Sequence, residues 1–297
     1  MSWRHGAVEC VINISEGRNP EIVAAIVSSA GRQALDVHTD PDHHRSVLTL
    51  GGSLPDVEAA ARSVARATVS AVDLRVHAGV HPRLGALDVV PFVPLPEPET
   101  TGRPSHPEVI ASVLGARDRF ARWAGDALAL PCFLYGPERS LPEIRRTAFV
   151  SLAADTGPPC PHPTAGATAV GVRPILVAYN LWLVDRSEGD HEPDRCVRVA
   201  RTIATGLRGP GIRALGLPFG SGAQVSMNLI DTDAVSMTDL YDSVTIDVEA
   251  QGCAVQRAEV VGLVPEAMLA TVPRHRWAEL DLHEDRTIEA RLEAAFA

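Results

Sequence analysis

Lysine is missing from this 297-residue chain: all 27 basic side chains are arginine. Mechanisms that need an ε-amino group are thereby excluded, such as a Schiff base to pyridoxal phosphate or the lysine of a Walker-type phosphate loop. Arginine is suited instead to gripping carboxylates through two parallel hydrogen bonds. Positive charge is in short supply overall. With 37 acidic residues the formal charge is −10, which disfavours nucleic acid, whose phosphates an acidic surface repels. The five cysteines (Cys10, Cys132, Cys160, Cys196, Cys253) never share a C-x-x-C spacing, so neither a zinc ribbon nor a thioredoxin-like motif is present. No apolar run reaches the length of a membrane span, and Met1 to Gly6 bring no apolar leader segment. We therefore expect a cytoplasmic protein with reduced thiols and neither membrane nor nucleic-acid partners. No G-x-G-x-x-G supports a dinucleotide fold, and no H-E-x-x-H supports a zinc protease.

What is present is an ordinary globular mixture, 45% hydrophobic and 22% charged. The length suggests two compact units, since single cores stop growing near about 250–300 residues. Val8 to Ile14 reads as a buried strand. Asn19 and Pro20 open a helix. Two strands follow, Ala34 to Val37 and Ser46 to Leu50, then a helix from Pro55 to about Val72 and a strand from Gly85 to Val93. This β-α-β-β-α-β order is the split arrangement of a ferredoxin-like sheet. A Pro-rich loop, a helix from about Glu108 to Leu128, a strand from Cys132 to Tyr135 and a short helix from Leu141 to Arg146 extend the first half. Asp155 to Gly166, dense in Gly and Pro, reads as the linker. Beyond it the order recurs: strand 175–184, helix 194–207, strands 212–217 and 223–230, helix 237–250, strand 255–263 and a terminal helix. The expectation is an α/β protein of two ferredoxin-like βαββαβ subdomains, 1–160 and 161–297, with facing sheets and a ligand groove between them.

The densest chemistry lies in Arg75 to Asp88. His81 can give or take a proton near neutral pH, Pro82 restricts the backbone after it, and Gly79 permits close approach. An exposed loop histidine is the plain alternative. His77-x-x-x-His81 has the spacing of a helical zinc pair, but Gly79 and Pro82 oppose a helix, and no metal is expected. Asp40-Pro41-Asp42-His43-His44-Arg45 is a charged turn between strands, either solvated or aimed at a ligand. Asn13 to Arg18 and Thr164 to Gly171 could each bring backbone and polar atoms to a ligand, or serve as ordinary turns.

Several of these blocks together resemble the formiminotransferase domain family. The resemblance rests on Cys10 to Arg18 (CVINISEGR), Asp40 to Val47 (DPDHHRSV), Gly79 to Phe92 (GVHPRLGALDVVPF), Leu134 to Gly136, Leu141 to Arg145, His162 to Arg173 (HPTAGATAVGVR), Ala223 to Leu229 (AQVSMNL) and Glu259 to Pro265 (EVVGLVP). It implies transfer of the formimidoyl group from N-formimidoyl-L-glutamate to N5 of tetrahydrofolate, a homodimer, and a transferase without the cyclodeaminase domain of the animal proteins. The family's catalytic histidine falls on His81. Asn13, Asp40, His44, Arg45, Arg83, Gly166, Thr168, Arg173 and Asn228 are the candidate substrate and folate contacts. His38 stands where relatives often carry an acid, leaving Asp36 or Asp40 to orient the imidazole. Another donor such as formimidoylglycine, a folate-binding protein without turnover, and a metal-dependent hydrolase are the competing readings.

Overall fold

The computed structural model describes residues 6–79, 83–96, 107–186, 194–220 and 222–297. The chain divides into two units, 1–174 together with 294–297, and 175–293.

Unit 1 contains β1 (Ala7–Ile14), α1 (Pro20–Ser28), β2 (Ala34–Asp40), β3 (Arg45–Ser53), α2 (Leu54–Ala71), β4 (Leu87–Pro94), α3 (Pro107–Leu128), β5 (Cys132–Tyr135), α4 (Leu141–Thr147) and β6 (Thr168–Val172). Along β1 the alternate residues Val8, Cys10, Ile12 and Ile14 share one buried core with Val57, Ala61 and Val64 of α2 and Phe120 of α3. Asn19 caps α1, its Oδ1 accepting from the Glu21 and Ile22 amides at 3.0 and 3.2 Å, and Ser53 caps α2 through the Asp56 amide. The sheet order is β2-β3-β1-β4-β6-β5. Its first four strands pair antiparallel, which is the split βαββαβ arrangement the sequence predicts.

Two expectations are corrected here. Thr168–Val172, read as loop, is strand β6, lying parallel between β4 and β5. Its short Thr-Ala-Val-Gly-Val run is a weak strand former by itself, and the two flanking strands supply its hydrogen bonds. The expected division at 160/161 therefore falls inside unit 1. The supposed linker is tied back to that unit by bonds from Leu74 to Thr164 and from Ala86 to Ala165, both 2.8 Å, and from Cys132 to Thr156 at 3.0 Å. The boundary lies at 174/175.

Unit 2 contains β7 (Val177–Asp185), α5 (Arg195–Leu207), β8 (Ile212–Phe219), β9 (Gly222–Leu229), α6 (Met237–Glu249), β10 (Cys253–Val261) and α7 (Glu266–Ala270), followed by α8 (Ile288–Phe296). Its antiparallel sheet runs β10-β7-β9-β8. This repeats the strand placement of β1 to β4. Tyr179, Leu181, Val225 and Met227 form its core with Val199, Ala200 and Ile203 of α5 and Val244 of α6. Among the described residues, no helix is long and apolar enough to cross a membrane.

Candidate active site

Three turns meet at one end of the unit 1 sheet. Ile14 pairs with both Ser46 and Leu87, and Asp40 with Arg45, so the ends of β1 and β2 and the starts of β3 and β4 lie together. The turn after β1 locks onto its neighbours. Ser15 Oγ donates to the Gly85 carbonyl at 2.8 Å, Ser46 Oγ to the Glu16 carbonyl at 2.6 Å, and Arg18 Nε to the Pro41 carbonyl at 2.8 Å. A side chain at Gly17 would collide with the Asp40 carbonyl and the Arg45 backbone, so only glycine fits.

Glu16 is the hinge pin of this arrangement, and the sequence alone did not single it out as a site residue. The residue is 8% exposed. Its Oε1 accepts from the amides of Arg18 and Asn19 at 2.7 and 2.9 Å and lies 3.1 Å from His44 Nε2. Burial opposes its charge, yet the two amides and His44 hold its carboxyl below the usual range. His44 has a positive φ of 51°; its Nδ1 donates to the Ala78 carbonyl at 3.0 Å, and its ring stacks on His77 with centroids 3.7 Å apart. Arg83 donates to the Gly79 carbonyl at 2.8 Å and also bonds His77. Asp40 organises the intervening turn. Its carboxylate takes the Asp42 and His43 amides, each at 2.8 Å, and His43 Nδ1 at 2.6 Å. Burial works against that carboxylate, but the bonds from His43 and Asp42 hold it down at about 2. Replacing Glu16 by alanine leaves two amides without their acceptor. We expect a loss of about 1–3 kcal/mol in urea unfolding, and a stability within error of the parent would contradict this role.

A second cluster adjoins the first. Asp88 is 1% exposed; its carboxylate accepts from the Leu84 amide and from Arg145 Nη2, both at 2.6 Å, with Arg45 Nη1 at 3.8 Å. Burial alone would raise its pKa, but Arg45 and Arg145 hold it below the usual carboxylate range. Arg45 also donates through Nε to Asn13 Oδ1 at 3.2 Å. Burial pushes the Arg45 guanidinium down to about 10, against the pull of Asp88. The buried Tyr135 hydroxyl, driven up by desolvation, feels Arg173, Arg145 and Asp88 together. Arg173 therefore belongs to the same neighbourhood.

Of the ten candidates from sequence, Asn13, Asp40, His44, Arg45 and Arg83 thus converge, with Arg173 close by. His81 lies outside the described residues, between Gly79 and Arg83. Gly166 serves packing, its φ of +69° carrying it under the Leu84 carbonyl, 2.6 Å from where a Cβ would sit. Thr168 is buried at the start of β6, and its hydroxyl has no partner among the described residues. Asn228 is exposed on β9 of unit 2, paired across from Ala178 and Arg213. Asp36 and His38 sit on β2, opposite Thr49 and Val47 of β3. Arg145 was not among the candidates; it reaches Asp88 from a helix 57 residues further on, a meeting that spacing along the chain does not reveal. Among the described residues no three His, Cys, Asp or Glu gather as metal ligands would. Forked guanidinium donors beside one buried acid suit a carboxylate-bearing ligand.

Comparison with known proteins gives the same direction. The family model for the N-terminal subdomain of the formiminotransferase domain matches residues 7–173, and the formiminotransferase domain model matches 178–292. A glutamate formimidoyltransferase of Streptococcus pyogenes serotype M1 is 32% identical over 294 residues, covering 90% of this chain and 92% of the relative. One from Thermoplasma acidophilum is 31% identical over 317 residues, covering 97% and 98%. The formimidoyltransferase-cyclodeaminase of Gallus gallus is 35% identical over 291 residues, covering 88% of this chain but 51% of that longer protein. Nearly every residue of both units is thus accounted for, and the chain belongs to the formiminotransferase domain family.

Proposed function

We propose that this protein transfers the formimidoyl group of N-formimidoyl-L-glutamate to N5 of tetrahydrofolate, releasing glutamate, with His81 as its acid–base group. The observation that carries this reading is the end-to-end similarity to proteins named glutamate formimidoyltransferase. Arg45 and Arg145, beside Asp88, and Arg83, bonded to the Gly79 carbonyl, support it. A donor bearing two carboxylates is the ligand such guanidinium forks suit. Transfer requires one proton to leave N5 and one to reach the departing glutamate nitrogen. A single imidazole performs both in turn, and the arginines orient the donor against it. The same reading expects a cytoplasmic homodimer.

The test is a donor panel assayed with tetrahydrofolate: formimidoylglutamate, formimidoylglycine and formylglutamate. Stoichiometric release of glutamate from the first supports the proposal. Preference for the second moves the donor but keeps the chemistry, and consumption of none overturns it.

A further inference from the structure

Two of the five cysteines meet inside unit 2. Cys196 lies in the first turn of α5 and Cys253 opens β10. They are 57 positions apart in the chain, yet their Sγ atoms are 3.2 Å from one another. Cys196 is 4% exposed and Cys253 fully buried, within the core that α5 and α6 share with the unit 2 sheet. The surrounding structure holds the pair together. Cys253 stands across from Asp185 of β7, and Asp185 Oδ1 accepts from Arg195 Nη1 at 3.2 Å. The residue before Cys196 is thereby tied to the strand beside Cys253. Of the remaining cysteines, Cys10 and Cys132 lie in the core of unit 1 and Cys160 is exposed.

A single buried cysteine is a small apolar side chain. Two whose sulfurs touch can also share a bond. The remaining approach to the bonded length of about 2.05 Å is within reach of rotations about the two Cα–Cβ bonds. We propose that Cys196 and Cys253 form a reversible dithiol–disulfide couple, closed by peroxide, that staples the start of α5 to the start of β10. The step balances. The sulfur of Cys196, the less buried of the two, attacks hydrogen peroxide; the O–O bond breaks, leaving a sulfenic acid on Cys196 and one water. The Cys253 sulfur then attacks that of Cys196. The S–S bond forms, the S–O bond breaks, and the hydroxyl leaves with the Cys253 proton as a second water. The two thiols lose two electrons and the peroxide gains them. Burial pushes the Cys196 thiol up to about 12, and Cys253 adds to the rise. Since the thiolate is the nucleophile, closure is slow, a lock set by sustained oxidant and not a rapid sensor. The closed loop takes in α5, β8, β9 and α6, so the bond restricts the unfolded chain far more than the folded one.

The experiment incubates the whole protein with hydrogen peroxide, removes the peroxide, unfolds the chain in urea with N-ethylmaleimide and maps its peptides. Cleavage after arginine releases Cys196–Arg198 and Ala214–Arg257 as separate peptides from the reduced chain. After oxidation they are expected as one disulfide-linked species without maleimide, which a dithiol reductant separates. The thermal midpoint of the oxidised protein is expected to rise by roughly 5 °C or more over the reduced form. Cys196→Ser and Cys253→Ser should each abolish that rise. The peptide map uses the parent alone, so it decides the matter even if a serine variant fails to fold. Maleimide on both peptides after peroxide, oxygen added to each cysteine separately, or linkage of either one to Cys160 overturns the proposal. A linked species with an unchanged midpoint overturns the staple. None of these outcomes touches the transferase reading, which is tested by turnover.

Discussion

Replacing His81 with alanine is expected to lower kcat by roughly 10²–10⁴-fold, the usual contribution of a positioned acid–base group. The measurement is turnover of formimidoylglutamate with tetrahydrofolate, alongside direct binding of tetrahydrofolate by calorimetry. On the proposed acid–base role, in which the imidazole moves protons and does not grip the folate, affinity should stay close to that of the parent. On the same proposed role, adding free imidazole to the variant should restore part of the rate, as a diffusing base replaces the missing one. The residues that precede position 80 are anchored. Ala78 and Gly79 are bonded to His44 and Arg83, and Gly79 leaves no room for a side chain, its Cβ position lying 2.6 Å from the His43 carbonyl. A fall in rate with unchanged folate affinity therefore points to chemistry and not to a collapsed site. Unchanged turnover in the variant would remove His81 from the mechanism.

The largest effect on stability is expected at Asp88. Replacing it with asparagine leaves Arg145 and Arg45 beside a neutral group, and removing one partner of a buried ion pair typically costs about 3–5 kcal/mol. The lowered pKa of Asp88 fixes the pH dependence. A carboxyl whose folded-state value lies below its unfolded one contributes stability fully present above the unfolded value, about 3.9 for Asp. That stability disappears as pH falls through the folded value. Urea midpoints should therefore differ strongly between parent and Asp88→Asn near neutrality and converge as the solution is acidified. Equal midpoints at neutral pH would show that the ion cluster is not what holds α4 and β3 to β4.

How much of this was legible beforehand differs from element to element. The two βαββαβ passes could be read because their signals are local: β-branched runs, Asn19 before Pro20, and Pro55 near the start of α2. β6 could not be read, since Thr168–Val172 becomes a strand only where β4 and β5 flank it. The turn residues Asp40, His44 and Arg45 stood out through their charge density, whereas Glu16 looked like one more polar residue in a turn. Its role arises when His44, 28 positions later, is brought to its carboxylate. Arg145 was hidden for the same reason.

Composition and local pattern by themselves determined the absence of lysine chemistry and the two βαββαβ passes, and whole sequence blocks carried the likeness to one family and most polar groups around its turns. Tertiary structure alone decided which arginines share Asp88 and where the first unit ends. The reason is physical. Propensities, caps and periodicity act over a few neighbouring residues, while ion pairs, parallel strand insertion and desolvation depend on segments that only the folded chain brings together.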